Sequence, residues 1–188
     1  MFARTERLTL RPGWIEDAPE LVRAIAHESV VTKLSRVPWP YTLGDAIDWL
    51  SRPKQVAEPT MVILAHQPDA VRLVGGIGIH LNEDGSAHEL GYWLTPGAWG
   101  RGYATEAGRA VVANARDTLR LKRLTSSHFV DNPASGRVLR KLGFRPTGRI
   151  VPRYSAARRC EVHCALFELD LDAASPCDGA DGDVMAAA

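Results

Sequence analysis

The stretch ELGYWLTPGAWGRGYATEA, residues 89–107, combines a strand, a glycine-punctuated loop and the start of a helix. The strand breaks at Thr95-Pro96-Gly97, and the helix is predicted to begin near Ala104. The first backbone N–H groups of a helix lack internal acceptors, and the helix dipole adds positive potential at the same end. Glycines in the loop let phosphate oxygens approach the main chain. The stretch therefore predicts an anion-binding site at a helix N-terminus.

Two other kinds of phosphate-binding loop do not fit this stretch. A Walker loop needs a Lys-Ser/Thr pair after its last glycine, and none follows Gly102, which disfavours a nucleotide-triphosphate binder. A dinucleotide loop needs a third glycine, where Thr105 stands, and a later acidic residue, where residues 121–124 read LKRL. The candidate anion ligands are Gly100, Arg101, Gly102, Tyr103, Ala104 and Thr105, largely through their main-chain N–H groups.

Three blocks of sequence point to one family. They are Thr5-Glu6-Arg7-Leu8, Trp99-Gly100-Arg101-Gly102-Tyr103-Ala104, and Asn132-Pro133-Ala134-Ser135 followed by Leu142-Gly143-Phe144. In this order they resemble the GNAT acetyltransferases, and within them the branch that acetylates ribosomal-protein N-termini. Trp99 departs from the Gln or Arg usual at its place in the family signature. The resemblance covers residues 5 to about 170 and implies acetyl-CoA as the co-substrate, held by its diphosphate.

The pattern of strands and helices predicts an α/β protein. Strands are expected at Thr5–Leu10, Met61–Ala65, Val71–Leu81, Ala87–Leu94, Arg123–Val130, Phe144–Val151 and Cys160–Leu171. Helices are expected after the caps Asp17 (with Glu20) and Thr42, from Ala104 to near Leu119, and from the cap Asn132 to Gly143. The resemblance implies a mixed, mostly antiparallel sheet of about seven strands flanked by helices, with a V-shaped opening between strands 4 and 5 where the thioester arm lies.

Length and composition bound the function. The 188 residues predict one domain over residues 1–172, with a disordered tail at residues 173–188, which are rich in Ala, Asp and Gly. A net charge of +1 argues against a nucleic-acid binder that works by bulk electrostatics, and no apolar run could span a membrane. Without an export leader, the predicted location is cytoplasmic. Cys160 and Cys164 are predicted to lie on one core face of a strand, so no metal site is expected.

Acyl transfer to an amine needs a proton acceptor, because an alkyl amine has a reference pKa of about 10.4 and is mostly protonated at neutral pH. Glu89 is the first candidate, since it stands on the strand before the anion loop, near the place where some GNAT enzymes carry a basic glutamate. Strand alternation places it on one face with Gly91 and opposite to Tyr92. A salt-bridged strand carboxylate is the open alternative, and His80 and His88 are rival bases.

The other catalytic and cofactor predictions come from the last helix and the strand end. Many relatives carry a tyrosine seven residues after the equivalent of Asn132, but Leu139 stands there, so Ser135 is the candidate acid. A first-turn serine that bonds its own helix is the alternative. The resemblance implies that Asn132 also touches the cofactor arm and that the main chain of Leu94 pairs with the pantetheine amides.

The acceptor site is predicted around Trp39 and Tyr41, which flank Pro40, and around Tyr154; ordinary surface packing is the alternative reading. Together these features predict an acetyl-CoA-dependent N-acetyltransferase that acts on a primary amine, either a protein N-terminus or a small molecule, by direct attack. A non-catalytic acyl-CoA-binding or sensing module is the alternative function, motivated by the missing tyrosine. A homodimer is possible, because edge strands of such folds pair between chains.

Overall fold

The computed structural model describes residues 1–53, 55–82 and 84–172. The predicted disordered tail therefore lies outside the described residues. Within this part of the chain the strands are β1 (Ala3–Arg4), β2 (Leu8–Arg11), β3 (Thr60–His66), β4 (Val71–Leu81), β5 (His88–Leu94), β6 (Arg123–Phe129), β7 (Arg145–Ser155) and β8 (Cys160–Asp170). The α-helices are α1 (Ala18–Ile25), α2 (Glu28–Val31), α3 (Leu43–Ser51), α4 (Tyr103–Asp117) and α5 (Pro133–Lys141).

The strands form one sheet in the order β1-β2-β3-β4-β5-β6-β8-β7. Its neighbouring pairs are antiparallel except β5 and β6, which run parallel. The predicted mixed, mostly antiparallel sheet is confirmed, with one more strand than the seven expected. The additional strand, β1, precedes the predicted Thr5–Leu10, whose first three residues form a turn, so β2 begins only at Leu8. The Thr5 N–H donates to the Leu8 carbonyl at 2.9 Å and the Leu8 N–H to the Thr5 hydroxyl at 3.1 Å, which turns the chain into a hairpin.

The predicted opening lies at the parallel junction of β5 and β6, which are the fourth and fifth strands when the short β1 is not counted. The ladder between them contains a single pair, Glu89 with Thr125. Two hydroxyls strengthen this end: Thr125 Oγ1 donates to the His88 carbonyl at 3.1 Å and Ser126 Oγ to the Leu90 carbonyl at 2.8 Å. Further along, both strands line a cavity instead of pairing. The junction is therefore closed at its start and open at its carboxyl end.

Helices cover both faces of the sheet. On one face α4 and α5 bury the larger core, in which Ala107, Val111 and Ala115 of α4 are fully buried. On the other face α1, α2 and α3 enclose a second core around Leu21, Val31 and other apolar residues. The two clusters lie on opposite faces of the sheet. The opening between β5 and β6 therefore has α4 and α5 on one side and α1, α2 and α3 on the other.

Helix caps only partly follow the prediction. Thr42 caps α3 as predicted, because its hydroxyl accepts from the Asp45 N–H while Asp45 accepts from the Thr42 N–H. The predicted capping box of Asp17 is wrong. The Asp17 carboxylate instead binds the Arg11 guanidinium through two 2.7 Å contacts and accepts from the Trp14 N–H. A charged bidentate partner outcompetes a backbone donor, and this pair ties β2 to α1.

Two further features concern strands β4 and β8. Strand β4 is bulged, with a register shift against β3 between Ile63 and Leu64. The prediction that both strand cysteines are core residues is wrong for Cys160, which is exposed at the first position of β8, whereas Cys164 is buried. Among residues 1–53, 55–82 and 84–172, no helix has the length and apolarity needed to cross a bilayer.

Candidate active site

The anion loop connects β5 to α4. A short 3-10 turn at Pro96–Ala98 follows the strand, and the next glycines adopt left-handed conformations, with φ of 73° at Gly100 and 80° at Gly102. Side chains other than glycine rarely adopt this region, so the loop shape depends on both glycines. Gly102 is the N-cap of α4 and offers no side chain to bond the first turn. The helix therefore begins with its N–H groups uncapped.

The main-chain N–H groups of residues 100–105 donate to no acceptor in the described part of the chain. Five of these residues line one cavity: Gly100, Gly102, Tyr103, Ala104 and Thr105. The Tyr103 side chain is itself buried, so this residue offers its main chain. The Arg101 side chain is exposed and outside the cavity wall. Unpaired donors at the positive end of a helix form the kind of site that binds a diphosphate.

Trp99, which departs from the family signature, connects the loop to the strand end. Its indole Nε1 donates to the Leu94 carbonyl at 2.8 Å, while about half of the side chain stays exposed. The Leu94 carbonyl is the group that the resemblance pairs with a pantetheine amide. A carbonyl oxygen has two lone pairs, so this bond leaves one acceptor position on Leu94. The tryptophan thus fixes the spacing between the strand end and the anion loop.

A cavity of about 930 Å³ extends from this loop through the opening between β5 and β6 to the layer of α1, α2 and α3. This volume is at the upper end of the range usual for small-molecule sites. The wall on the loop side includes Leu94, Asn132 and Ser135, and the opposite wall includes Tyr41, Trp49, His80, Glu89 and Arg153. One continuous space therefore joins the anion loop to the candidate base.

Glu89 is buried and ion-paired. Its Oε1 accepts from Arg153 Nη1 at 2.7 Å and from the Ser127 hydroxyl at 2.8 Å, and the same Arg153 nitrogen contacts Ser127 at 2.9 Å. Burial acts to raise the pKa of Glu89, but the hydrogen bonds and charge of Arg153, with help from Ser127, lower it below its ordinary value. The carboxylate is therefore anionic and held in place. This is the salt-bridged strand carboxylate that the sequence analysis gives as the alternative for Glu89.

His80 lies next to Glu89, because the two residues are paired across the ladder of β4 and β5. The missing side chain of Gly91 makes room for the imidazole, since a Cβ there would lie 3.3 Å from its Cε1. Burial and the nearby charge of Arg36 lower the pKa of His80 below its ordinary value, against the opposite pull of Glu89. Within the described residues its ring nitrogens have no hydrogen-bond partner, so a neutral imidazole faces the cavity.

Ser135 points inward and meets a partner that the sequence analysis missed. Its hydroxyl lies 2.7 Å from the Tyr92 hydroxyl, which also donates to the Ser135 carbonyl at 2.9 Å. Burial raises the pKa of Tyr92 to about 12, although the bond to Ser135 acts to lower it. The sequence does indicate the direction of Tyr92, because strand alternation places its side chain on the face opposite Glu89. The pair links β5 directly to the first turn of α5.

Asn132 occupies the N-cap of α5, but the predicted side-chain cap is wrong. Asn132 has a φ of −120° and a ψ of 64°, and its side chain accepts no hydrogen bond from the first turn of the helix. Its main-chain carbonyl accepts from the Ser135 N–H. In the described residues the side-chain amide has no hydrogen bond and lines the cavity. Leu139, where relatives carry a tyrosine, is fully buried in the core. The helix thus offers the cavity an amide and the serine hydroxyl.

The predicted acceptor residues are not all brought to the cavity. Tyr41 lines it, and burial raises the pKa of its hydroxyl to about 12. Trp39 packs against the core of α1, α2 and α3, and the Tyr154 side chain is 58% exposed on β7; neither belongs to the cavity wall. Arg153, which precedes Tyr154 in the sequence, points inward to Glu89. The sequence carried no sign of that pairing, because it spans β5, β6, β8 and β7.

Comparison with known proteins identifies the family. Residues 7–145 match the family described as Acetyltransferase (GNAT) domain. The chain belongs to the GNAT acetyltransferase family. This confirms the resemblance carried by the three sequence blocks, and with it the predicted enzyme class, an acetyl-CoA-dependent acyltransferase. In the described residues, no group of histidine, cysteine and acidic side chains is placed to hold a metal ion.

Two curated relatives agree with this family. An N-acetyltransferase named YoaA and described as uncharacterized, from Bacillus subtilis (strain 168), is 38% identical over 81 residues, which cover 43% of this chain. The match spans 46% of that relative, less than half of its length. An uncharacterized N-acetyltransferase p20 from Bacillus licheniformis is 27% identical over 169 residues, 88% of this chain and 93% of that protein.

Solved structures share the fold. A GNAT-family acetyltransferase from Bacillus anthracis has a TM-score of 0.75 at 20% identity, covering 91% of this chain and 99% of that one. A putative ribosomal-protein-serine acetyltransferase from Vibrio cholerae has a TM-score of 0.68 at 21% identity, covering 90% and 97%. The microcin C7 self-immunity acetyltransferase MccE, solved with acetyl-CoA and AMP, has a TM-score of 0.71 at 16% identity, covering 88% and 93%. These matches show a common open, mixed sheet.

Proposed function

We propose that this protein transfers the acetyl group of acetyl-CoA to a primary amine by direct attack in a ternary complex. One observation carries the proposal: the unpaired N–H groups of Gly100 and of residues 102–105 open onto the same cavity as Glu89 and Ser135. An anion loop alone would support many ligands. Its connection through the opening of the sheet to titratable groups on the other face supports acyl transfer between two bound substrates.

The cofactor side of the cavity suits coenzyme A. The main-chain N–H groups of Gly100, Gly102 and Thr105 would bind the diphosphate, and the exposed Arg101 side chain would reach a phosphate from outside the wall. The free lone pair of Leu94 and the side-chain amide of Asn132 would hold the amides of the arm. Bound acetyl-CoA would supply the activated acetyl group. Except for Arg101, each of these assignments rests on donor and acceptor groups that line one surface.

Glu89 is the proposed base, and the surrounding contacts define how it would work. A carboxylate held by Arg153 and Ser127 is a weak proton acceptor, so its first effect is to attract the incoming ammonium group. His80 beside it is neutral and would accept the same proton, with the resulting imidazolium stabilised by Glu89. Both groups have a lowered pKa, so the acid limb of kcat/KM would lie below the ordinary value of the base, 4.5 for Glu89 and 6.5 for His80, and the limb that disappears in Glu89→Gln or in His80→Gln identifies the base.

Ser135 is the proposed donor to the leaving sulfur. As the amine nitrogen bonds to the carbonyl carbon, the C–S bond breaks and the thiolate needs stabilisation. A thiol has a reference pKa of about 8.5, well below that of a hydroxyl, so Ser135 would donate a hydrogen bond to the thiolate and the final proton would come from solvent. Tyr92, whose pKa is raised to about 12, would keep its proton and donate it to the Ser135 hydroxyl in place of the Ser135 carbonyl, which leaves the serine proton free for the sulfur.

The acceptor is proposed to enter on the side of α1, α2 and α3, past Tyr41. Trp39 and Tyr154 lie outside the cavity wall, and their contact with the acceptor stays a prediction. The name of one structural neighbour, a ribosomal-protein-serine acetyltransferase, supports a protein N-terminus as one acceptor class. Small-molecule amines form the second class. A cytoplasmic location, a homodimer and independence from nucleic acid, membrane and metal likewise stay predictions.

A free-thiol release assay with acetyl-CoA tests the proposed function. The parent protein is assayed against peptides with free N-termini, polyamines and aminoglycosides, and Glu89→Gln, His80→Gln and Ser135→Ala are then assayed with the best amine. Amine-dependent thiol release and an acetylated product by mass spectrometry are expected. Release of thiol without an amine would indicate hydrolysis only, and no release with any acceptor would contradict the proposal.

A non-catalytic acyl-CoA-binding module is the second candidate function. Two observations favour it: Leu139 fills the position of the usual tyrosine with a buried apolar side chain, and Glu89 is locked in an ion pair. The same experiments separate the two functions. Tight binding of coenzyme A by calorimetry without turnover of any amine would support the module, whereas measurable kcat for one amine class would exclude it.

A further inference from the structure

The block Thr5-Glu6-Arg7-Leu8 is far from the cavity in sequence, yet one of its side chains reaches the anion loop. Arg7 forms an ion pair with Glu106 in the first turn of α4, with Nη2 at 2.6 Å and Nε at 2.8 Å from Oε2. The Arg7 N–H and the Thr5 hydroxyl donate to Oε1 of the same carboxylate at 2.9 and 2.6 Å. The remaining nitrogen, Nη1, donates to the Arg101 carbonyl at 3.0 Å.

The bond to Arg101 determines which way a peptide of the loop faces. The carbonyl of Arg101 and the N–H of Gly102 belong to one planar, trans peptide unit, so they point in opposite directions. Because Arg7 holds the oxygen, the Gly102 N–H is directed away from the hairpin of β1 and β2. The guanidinium also lies 4.9 Å from the centre of the Tyr103 ring, which limits rotation of the next residue.

The ion pair has a second, electrostatic consequence. Glu106 lies one turn from the N–H groups that would bind a diphosphate, and its side chain is only 16% exposed. An unpaired carboxylate at that place would repel the ligand and offset the positive end of the helix. Arg7 neutralises this charge. The carboxylate in turn keeps the guanidinium in reach of the Arg101 carbonyl, so the two effects depend on each other.

We propose that Arg7 is a positioning residue for the diphosphate of acetyl-CoA: it orients the loop peptide between Arg101 and Gly102 and neutralises Glu106. This inference rests on the proposed function, because it concerns the same cofactor site. It explains why a block at the start of the chain accompanies the loop signature. This role differs from a purely structural contact between the first hairpin and α4, because Arg7 would affect the binding of the diphosphate and of no other part of the cofactor.

The two acetyl donors acetyl-CoA and S-acetylpantetheine test that difference, because the second lacks the diphosphate. For Arg7→Gln we expect KM for acetyl-CoA and the Kd of coenzyme A to rise about tenfold, the usual weight of a charge-assisted hydrogen bond, with little change in kcat. The kcat/KM for S-acetylpantetheine is expected to stay at the parent value. Arg4→Gln, an exposed arginine in the same hairpin, is the matched control and should change neither donor.

Glu106→Gln distinguishes the effect of the unpaired Glu106 charge on the ligand from an effect of Arg7 on folding. In Arg7→Gln/Glu106→Gln the repelling carboxylate is gone, so coenzyme A affinity should return part of the way to the parent value. Arg7→Lys restores a charge without the forked geometry and should also recover part of it. These variants keep the test decisive if Arg7→Gln alone folds poorly, and circular dichroism identifies that case.

Three outcomes would overturn the inference. They are unchanged coenzyme A affinity in Arg7→Gln, an equal loss with acetyl-CoA and S-acetylpantetheine in the folded variants, and no recovery in the double variant. If the parent protein itself failed to bind coenzyme A, the proposed function would fall, and this inference with it. Binding by the parent and by Arg7→Gln with the same affinity would overturn this inference alone.

Discussion

Replacing Arg153 by glutamine should destabilise the protein through the carboxylate that it leaves behind. Glu89 is 7% exposed as a side chain and Arg153 is 21% exposed, so their 2.7 Å contact is largely removed from water. Glutamine cannot neutralise the buried carboxylate. Ser127 would remain as a hydrogen-bond donor, but it carries no charge. The perturbation therefore converts a satisfied ion pair into a buried, uncompensated anion.

The magnitude follows from that burial. Removing one partner of a buried ion pair costs about 3–5 kcal/mol, and the partial exposure of Arg153 places this case at about 3 kcal/mol at pH 7. For a protein of this size the melting temperature should fall by roughly 2–4 °C for each kcal/mol, or roughly 6–12 °C in total. Glu89→Gln/Arg153→Gln removes the stranded charge and should recover much of the loss, which a double-mutant cycle measures.

The pH dependence provides a sharper signature than the melting temperature alone. In the parent, the pKa of Glu89 is lowered, so the pair contributes stability above the ordinary carboxyl pKa of 4.5 and loses it as the pH falls through the lowered value. In Arg153→Gln, burial without the cation raises the pKa of Glu89. Acid then protonates the stranded carboxylate, so the gap in stability between variant and parent should narrow as the pH falls towards 4.5.

Urea denaturation across this pH range measures the effect, with Arg149→Gln as the control because Arg149 is exposed on the same strand. The control should lie within about 0.5 kcal/mol of the parent. Turnover gives an independent reading: with its pKa raised, Glu89 becomes a stronger base, and the acid limb of kcat/KM moves to higher pH. A loss below about 1 kcal/mol together with an unmoved acid limb would refute the assigned role of the pair.

Three further changes test other parts of the fold and site. His80→Asn should flatten the pH dependence of stability below pH 6.5, because the folded parent disfavours a proton that its unfolded histidine binds; an unchanged slope in urea denaturation would contradict this. Tyr92→Phe, which loses the hydrogen bonds to α5, should cost about 1 kcal/mol and lower kcat without changing the Kd of coenzyme A, whereas a weaker Kd would argue against its proposed place beside the sulfur. Gly108→Ala would place a methyl group 2.5 Å from a leucine δ-carbon and should cost about 1–3 kcal/mol by thermal denaturation, while Gly97→Ala, with open space around it, should be silent.

Local chemistry made the anion loop predictable. Gly100 and Gly102 are needed for a left-handed loop, and uncapped N–H groups follow from placing such a loop before a helix. The same is true of the strand and helix positions, whose periodicity is a property of neighbouring residues. The alternation of β5 also fixed that Glu89 and Tyr92 face opposite ways. Predictions failed where two local partners competed, as at Asp17, which binds Arg11 in preference to its own helix.

Contacts between distant segments were beyond the reach of the sequence. Nothing near Arg153 indicates that it points inward while Tyr154 points out, because the choice depends on the register of β7 against β8 and of β8 against β6. The partners of Ser135 and Glu106 are of the same kind, since they lie 43 and more than 90 positions away along the chain. Such pairs form only when the sheet closes.

The sequence by itself determined the family, the order of the elements and the loop that can bind a diphosphate, because each motif, element and loop is recognised from residues that are neighbours along the chain. Tertiary structure alone decided the protonation behaviour of the site. Burial and the charge of Arg153 act on Glu89, and burial and Arg36 act on His80. A pKa depends on the dielectric and charges within a few ångströms, and strands distant in sequence supply both.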